Sequence, residues 1–159
     1  MNHFDPGLAT APVDAGIKAC ADRLQADFAL LSDWEERYGY VIELGKALPA
    51  GSERLRRADN KVQGCVSQVW LESRVLAPEA GTGEPRLCFE GDSDAHIVRG
   101  LIAILLQLYS GRGAGEILGF DASDLFARLG LDEQLSAQRS NGLAAMLRRI
   151  RTDAATAAG

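Results

Sequence analysis

The chain is poor in the residues from which most recognisable sites are built. It has three cysteines and two histidines in 159 residues. The cysteines fall at 20, 65 and 88, an odd number at wide spacing, with no C-x-x-C pair. A disulfide framework needs an even set, and scattered free thiols suit a reducing compartment. Zinc prefers four ligands, so a helix, a loop and a strand would have to converge on it with one of the two histidines. No metal is therefore expected. Positive charge is also scarce: 17 Lys and Arg stand against 22 Asp and Glu, giving a net charge of −5 and a pI of about 5.0. A nucleic-acid binder carries a basic footprint, so nucleic acid is not expected as a partner. The one basic cluster, Arg54, Arg56, Arg57 and Lys61, reads as a solvated face or a partner contact.

Long apolar runs are missing too. The longest, residues 101–106, falls far short of the roughly 20 residues that span a bilayer. Residues 1–10 lack the basic start and apolar stretch of a secretory signal. A cytoplasmic protein without membrane association is expected. Nucleotide and hydrolase signatures are absent as well: no G-x-G-x-x-G follows a strand, and there is no phosphate-loop or H-E-x-x-H motif. The glycine-rich segment 111–115 ends a helix and lacks the Lys-Ser/Thr of a phosphate loop.

What is present is ordinary globular sequence, 47% hydrophobic and 25% charged. One domain over residues 12–155 is expected, behind a flexible N-terminus at 1–11. Pro12 suits a first helical turn, and Val13, Ile17, Cys20/Ala21, Leu24 and Phe28 recur at helical spacing. Ser32 with Glu35 reads as a capping box for a second helix buried through Trp34, Tyr38, Val41/Ile42 and Leu44, which stops near 45–49. Residues 50–64 read as a polar loop with one short helical turn. Alternation predicts strands over 66–75, with Val69, Leu71 and Val75 on one face, and over 86–90, ended by Gly91. A Pro- and Gly-rich connection at 77–85 joins them into a hairpin.

Asp92 or Ser93 is expected to cap a third helix, apolar around most of its circumference through Ile97, Val98, Leu101, Ile102, Ile104, Leu105 and Leu108. Short helices at 114–118 and 122–129 follow, and Ser136 precedes a last helix carrying Leu143, Met146, Leu147 and Ile150. Helices, then strands, then helices predict an α+β domain, with helices packed on one face of a small antiparallel sheet.

The cysteines differ in context. Cys20 lies on an apolar helical stripe and Cys88 lies mid-strand, where a small buried hydrophobe is the plain reading. Cys65 follows Gly64 at the junction of the polar loop and the first strand. Glycine there permits backbone angles and close approaches that a side chain would block. A thiol so placed can be presented to another molecule. His3 lies near the chain start and His96 in a first helical turn, and neither has the context of a triad member.

Asn60-Lys-Val-Gln-Gly-Cys65-Val-Ser-Gln-Val-Trp-Leu71 resembles the hallmark segment of the SufE family of sulfur-transfer proteins. The resemblance continues through Trp34-Glu-Glu-Arg-Tyr38, Val41-Ile-Glu-Leu-Gly45 and Leu48-Pro49, then Glu90-Gly-Asp-Ser-Asp94 and Gly100-Leu-Ile-Ala103, and finally Arg139-Ser-Asn-Gly-Leu143. It covers residues 20–153, in order. It implies the fold shared with the IscU and NifU scaffolds. It also implies a protein that takes persulfide sulfur from a PLP-dependent cysteine desulfurase of the SufS type, stimulates that enzyme, and passes sulfur to a SufBCD-type iron–sulfur scaffold. Cys65 matches the acceptor. No independent substrate turnover and no cofactor in this chain are implied, because the partner holds the PLP.

Arg139 matches a characteristic arginine of the family. It either lowers the thiol pKa or contacts the desulfurase, and a surface arginine at a helix start is the bland alternative. Asp94 reads equally as a residue tuning the Cys65 loop or as a partner of a helix dipole. Two other readings stay open: an adaptor that regulates a desulfurase by docking alone, and the CsdE branch, which serves a different desulfurase. An IscU-like cluster scaffold is disfavoured by the sparse ligand set. A homodimer burying the Cys65 loop remains an open arrangement, and so does the resting position of the thiol.

Overall fold

The computed structural model describes residues 16–51, 53–78 and 83–159. The expectations for the N-terminal tail, for Pro12 and Val13, and for His3 lie outside the described residues, as do residues 79–82 of the hairpin connection. The described residues form seven helices and three strands in the order α1 (Gly16–Ala29), α2 (Trp34–Ala47), β1 (Val69–Leu76), β2 (Arg86–Ser93), α3 (His96–Tyr109), β3 (Arg112–Gly113), α4 (Ala114–Leu118), α5 (Ala122–Arg128), α6 (Leu131–Gln134) and α7 (Ala137–Ala158). Two 3-10 turns, Glu53–Arg56 and Ala58–Asn60, lie between α2 and β1. The sheet has the order β1-β2-β3 and is antiparallel throughout. This is the expected α+β architecture.

The core is organised around α3, which buries eleven of its fourteen residues. A helix apolar on nearly all sides must be enclosed on nearly all sides. The sheet encloses it through Val69, Leu71, Leu87 and Phe89, all buried. On its other side α2 crosses through glycines. A Cβ on Gly45 would stand 2.6 Å from the backbone nitrogen of Gly100. The buried line of α2 is therefore Val41 and Gly45, continued by Leu48 just past the helix. Trp34, Tyr38, Ile42 and Leu44, expected in the stripe, are only partly buried.

Several boundaries differ from the sequence expectation. The α2 cap is Asp33, whose Oδ1 accepts from the Glu36 backbone N–H at 2.9 Å, while Glu36 accepts from the Ser32 N–H at 3.1 Å. The capping box thus falls one residue later than Ser32 and Glu35. β2 does not end at Gly91 but runs to Ser93, because Gly91 pairs with Leu71 and a side chain there would strike Leu71 and Ile102. The first residue outside α3 is Ala95, which has no side-chain cap. Asp92 and Ser93 have other partners. Val75 is 62% exposed although its partner Leu87 on the central strand is fully buried, because β1 is the edge of the sheet. β3 and α6, both very short, have no counterpart in the periodicity reading.

The second sheet face is covered by the 53–60 segment, not by a helix. Leu55 is fully buried there. Arg54 pairs with Glu72 at 2.8 Å, and Arg56 reaches Asp92 at 3.1 Å while lying 5.6 Å from the Trp70 ring centre. Arg57 faces Asp59 at 4.0 Å. Most of the basic cluster is thus used within the fold, clamping the loop that leads to Cys65.

Candidate functional site

Cys65 sits where this clamped loop turns back toward β1. Gly64 adopts φ +93°, a left-handed conformation that disfavours any residue with a Cβ. It also approaches α7 closely, since a Cβ there would lie 3.4 Å from that of Ala145. The turn aims the Cys65 side chain at the first part of α7. Its Sγ lies 3.6 Å from the carbonyl oxygen of Gly142, to which the thiol donates. The approach to Gly142 is close: a Cβ on it would stand 3.4 Å from the sulfur, in van der Waals contact.

After Cys65 the chain is held again. Asp94 accepts from the Gln68 N–H at 3.0 Å, and Ser93 Oγ donates to the Gln68 carbonyl at 2.6 Å. Asp94 therefore fixes the far end of the thiol-bearing turn. Before Cys65, Val62 is buried and its N–H donates to the Val69 carbonyl at 2.8 Å. Val66 does not back the thiol from within as an apolar cushion would; it is 75% exposed. Trp70 is half-buried beneath Arg56.

The thiol borders a cavity of about 360 Å³ between the turn, α3 and α7. Val69, Val98, Leu101, Leu143 and Met146 give it apolar walls, while Ser67, Ser136, Gln138 and Arg139 add polar groups. Ser136 caps α7, accepting from the Arg139 N–H at 3.2 Å. Cys65, Gly64, Asp94 and Arg139 are thereby gathered around one turn and one cavity. Gly142 and Arg148 also belong to this surround and were not anticipated. Glycine carries no hydrophobic signal, and Arg148 is one of several arginines in a basic helix.

Burial pushes the Cys65 thiol above its ordinary pKa, and the positive charge of Arg148 pulls the other way. Cys20 and Cys88 are also raised by burial, and each is only 1% exposed. The Cys20 thiol donates to the Gln107 carbonyl at 3.4 Å. All three thiols are free. Cys65 alone among them is partly exposed and borders the cavity. Among the described residues no group of three or more His, Cys, Asp or Glu is placed to hold a metal ion, and no helix is long and apolar enough to cross a membrane.

A family model described as "SufE: Fe-S metabolism associated domain" matches residues 22–154. An uncharacterised SufE-like protein of Rhizobium etli is 56% identical over 137 residues, covering 86% of this chain and 90% of that protein. A second uncharacterised SufE-like protein, from Rhizobium meliloti, is 55% identical over 133 residues, covering 84% and 93%. In three dimensions the chain is similar to the solution structure of a hypothetical protein from Thermus thermophilus, with TM-score 0.67 and 18% identity over 87% of this chain and 95% of that one. That likeness concerns the fold.

Proposed function

The chain belongs to the SufE family, associated with Fe–S metabolism, and from that premise we propose that it is a cytoplasmic sulfur acceptor working through Cys65. The donor is the active-site persulfide of a SufS-type cysteine desulfurase, and the recipient is a SufBCD-type scaffold. The Cys65 thiolate attacks the outer sulfur of the donor persulfide. The donor's S–S bond breaks, its cysteine leaves as a thiolate, and Cys65 becomes the persulfide. Clearing the donor in this way stimulates the desulfurase. The chain itself carries no cofactor in this reading; the PLP stays with the partner.

The observation that carries the proposal is the asymmetry of the three thiols. Two are sealed in the core, and one borders a cavity on a turn built from a left-handed glycine. Acceptance needs a reachable sulfur, and storage needs a shielded one. The partial exposure of Cys65 serves the first. The cavity serves the second: its 360 Å³ far exceeds the about 30 Å³ that one water takes in the liquid, so one added sulfur atom fits. Asp94 fixes the turn, and Arg139, exposed at the cavity, is assigned a contact to the docked desulfurase.

The test is desulfurase turnover in the presence of single-cysteine variants. Cys65→Ser should abolish stimulation, while Cys20→Ser and Cys88→Ser should retain it. Stimulation that survives loss of the Cys65 thiol would contradict the relay and favour an adaptor that acts by docking alone.

A further inference from the structure

The cavity beside Cys65 is far larger than one sulfur atom requires. An added sulfur needs little more room than a water, about 30 Å³, and the cavity offers about 360 Å³. Sites of about 300–1,000 Å³ that are mostly apolar, with a few placed polar groups, are the usual form of a small-molecule site. The distribution of those polar groups says what the extra space takes.

The floor is apolar. Val69, Leu101 and Met146 are at most 1% exposed, and Val98 and Leu143 are buried beside them. The rim is polar: Ser136, Gln138 and Arg139 are exposed, and Ser67 is half-buried. One helix makes both zones. The first turn of α7 stands at the mouth, and its next two turns supply Leu143 and Met146 to the floor.

Among the described residues Arg139 is the one charged residue of the lining. Its backbone N–H is engaged by Ser136 Oγ at 3.2 Å, but its guanidinium makes no ion pair or hydrogen bond among the described residues. No acidic residue lies in the first turn of α7, and Asp94 is engaged with the Gln68 N–H. The cavity therefore has one unneutralised cation at its mouth and one nucleophilic sulfur, Cys65, in its wall. It suits a molecule with a carboxylate at one end, a short apolar body, and at the other end a sulfur that a thiolate can attack.

We propose that this cavity binds a small amino-acid hydropersulfide of the cysteine persulfide class, carboxylate on Arg139 and outer sulfur at Cys65, so that Cys65 is loaded without a desulfurase. The Cys65 thiolate attacks the outer sulfur of R–S–SH. The S–S bond breaks, R–S⁻ leaves, and Cys65 carries the S–SH group. One persulfide is exchanged for another, so no oxidant or reductant is required. This rests on the reading of Cys65 as a sulfur acceptor, but not on its protein donor. In the absence of a docked desulfurase, Arg139 is free to hold the carboxylate.

The experiment follows sulfur gain on Cys65 by intact-protein mass spectrometry, in a Cys20→Ser/Cys88→Ser background, with no desulfurase present. Cysteine persulfide is compared with cysteamine persulfide, which lacks only the carboxylate. The rate with cysteine persulfide should saturate with concentration. At low concentration it should exceed the cysteamine persulfide rate by roughly tenfold, the scale of one charge-assisted hydrogen bond. Arg139→Met should bring that ratio close to unity, and Arg139→Lys should keep most of it; the side chain is exposed, so neither change disturbs the core. No loading by either reagent, equal and non-saturating rates with both, or a preference that survives Arg139→Met would overturn the inference. If a SufS-type desulfurase loads Cys65 but the two small persulfides are not distinguished, this inference alone falls. If cysteine persulfide loads Cys65 with the expected preference but the desulfurase does not, this inference stands and the desulfurase reading falls.

Discussion

Asp92→Asn is the perturbation that most directly probes how the thiol-bearing loop is held. Asp92 is 1% exposed. One carboxylate oxygen accepts from the Ser93 N–H and from Arg99; the other accepts from the Gly51 N–H at 2.9 Å and from Arg56 at 3.1 Å. Asparagine keeps one of these oxygens and replaces the other with an NH₂ group. Whichever way the amide is turned, that NH₂ faces one backbone N–H and one guanidinium, so donors meet donors and both arginines lose their counter-charge. Breaking a buried ion pair by removing one partner costs about 3–5 kcal/mol. Arg56 is half-exposed and can turn to water, which places the cost near the lower end, at about 3 kcal/mol.

For a chain of this length each kcal/mol shifts Tm by about 2–4 °C. Asp92→Asn should therefore lower Tm by roughly 6–12 °C, read by circular dichroism at pH 7.5. Asp59→Asn, which removes an exposed acid facing Arg57 at 4.0 Å, is the control and should shift Tm by about 2 °C or less. A fall of less than about 3 °C for Asp92→Asn would refute the claim that this carboxylate clamps the loop onto the sheet.

Two further outcomes follow from the packing and the buried titrating groups. Gly100→Ala should destabilise the fold by about 3 kcal/mol, because the new methyl meets the Val41 carbonyl across the α2–α3 crossing; a urea midpoint within about 0.5 M of the parent would contradict that crossing. Stability should also fall in alkali. Burial raises Cys20, Cys65 and Cys88 above 9.0, Tyr40 above 10.0, and Tyr109 to about 12. A raised folded-state pKa means that the unfolded chain loses its proton first, so the stability these groups lend is complete below pH 9 and drains away from there toward pH 12. Urea midpoints should agree at pH 7.5 and 8 and then decline at pH 10 and 11, and a flat series would contradict the burial of these groups.

Much of this fold is legible in the sequence, and the failures share a physical origin. The core helix declares itself because Ile97 to Leu108 is apolar around most of its circumference. The hairpin declares itself through alternation in β1 and β2. Contacts made by glycine were missed. Gly45 and Gly100 carry no hydrophobic signal, so the expected α2 stripe of Trp34, Tyr38, Val41/Ile42 and Leu44 includes Val41 but not Gly45, through which the closest approach runs. Gly91 looked like a strand end but is the point where Leu71 and Ile102 need room.

The site divides in the same way. Cys65 and Gly64 stand out locally, as a thiol behind a glycine at the end of a polar loop. Gly142 and Arg148 are defined only by how α7 lies against that loop, which no local pattern encodes. The basic cluster at 54–61 shows the reverse case. It looks like a surface feature in sequence, but Arg54 and Arg56 are bound to Glu72 and Asp92.

The central claim is that Cys65 accepts sulfur. Intact-protein mass spectrometry after incubation with a SufS-type desulfurase and cysteine, followed by peptide mapping, tests it most directly. The account predicts a gain of one sulfur atom, located on the peptide containing Cys65 and absent from the Cys65→Ser variant. A chain that gains no sulfur, or gains it on Cys20 or Cys88, would contradict it.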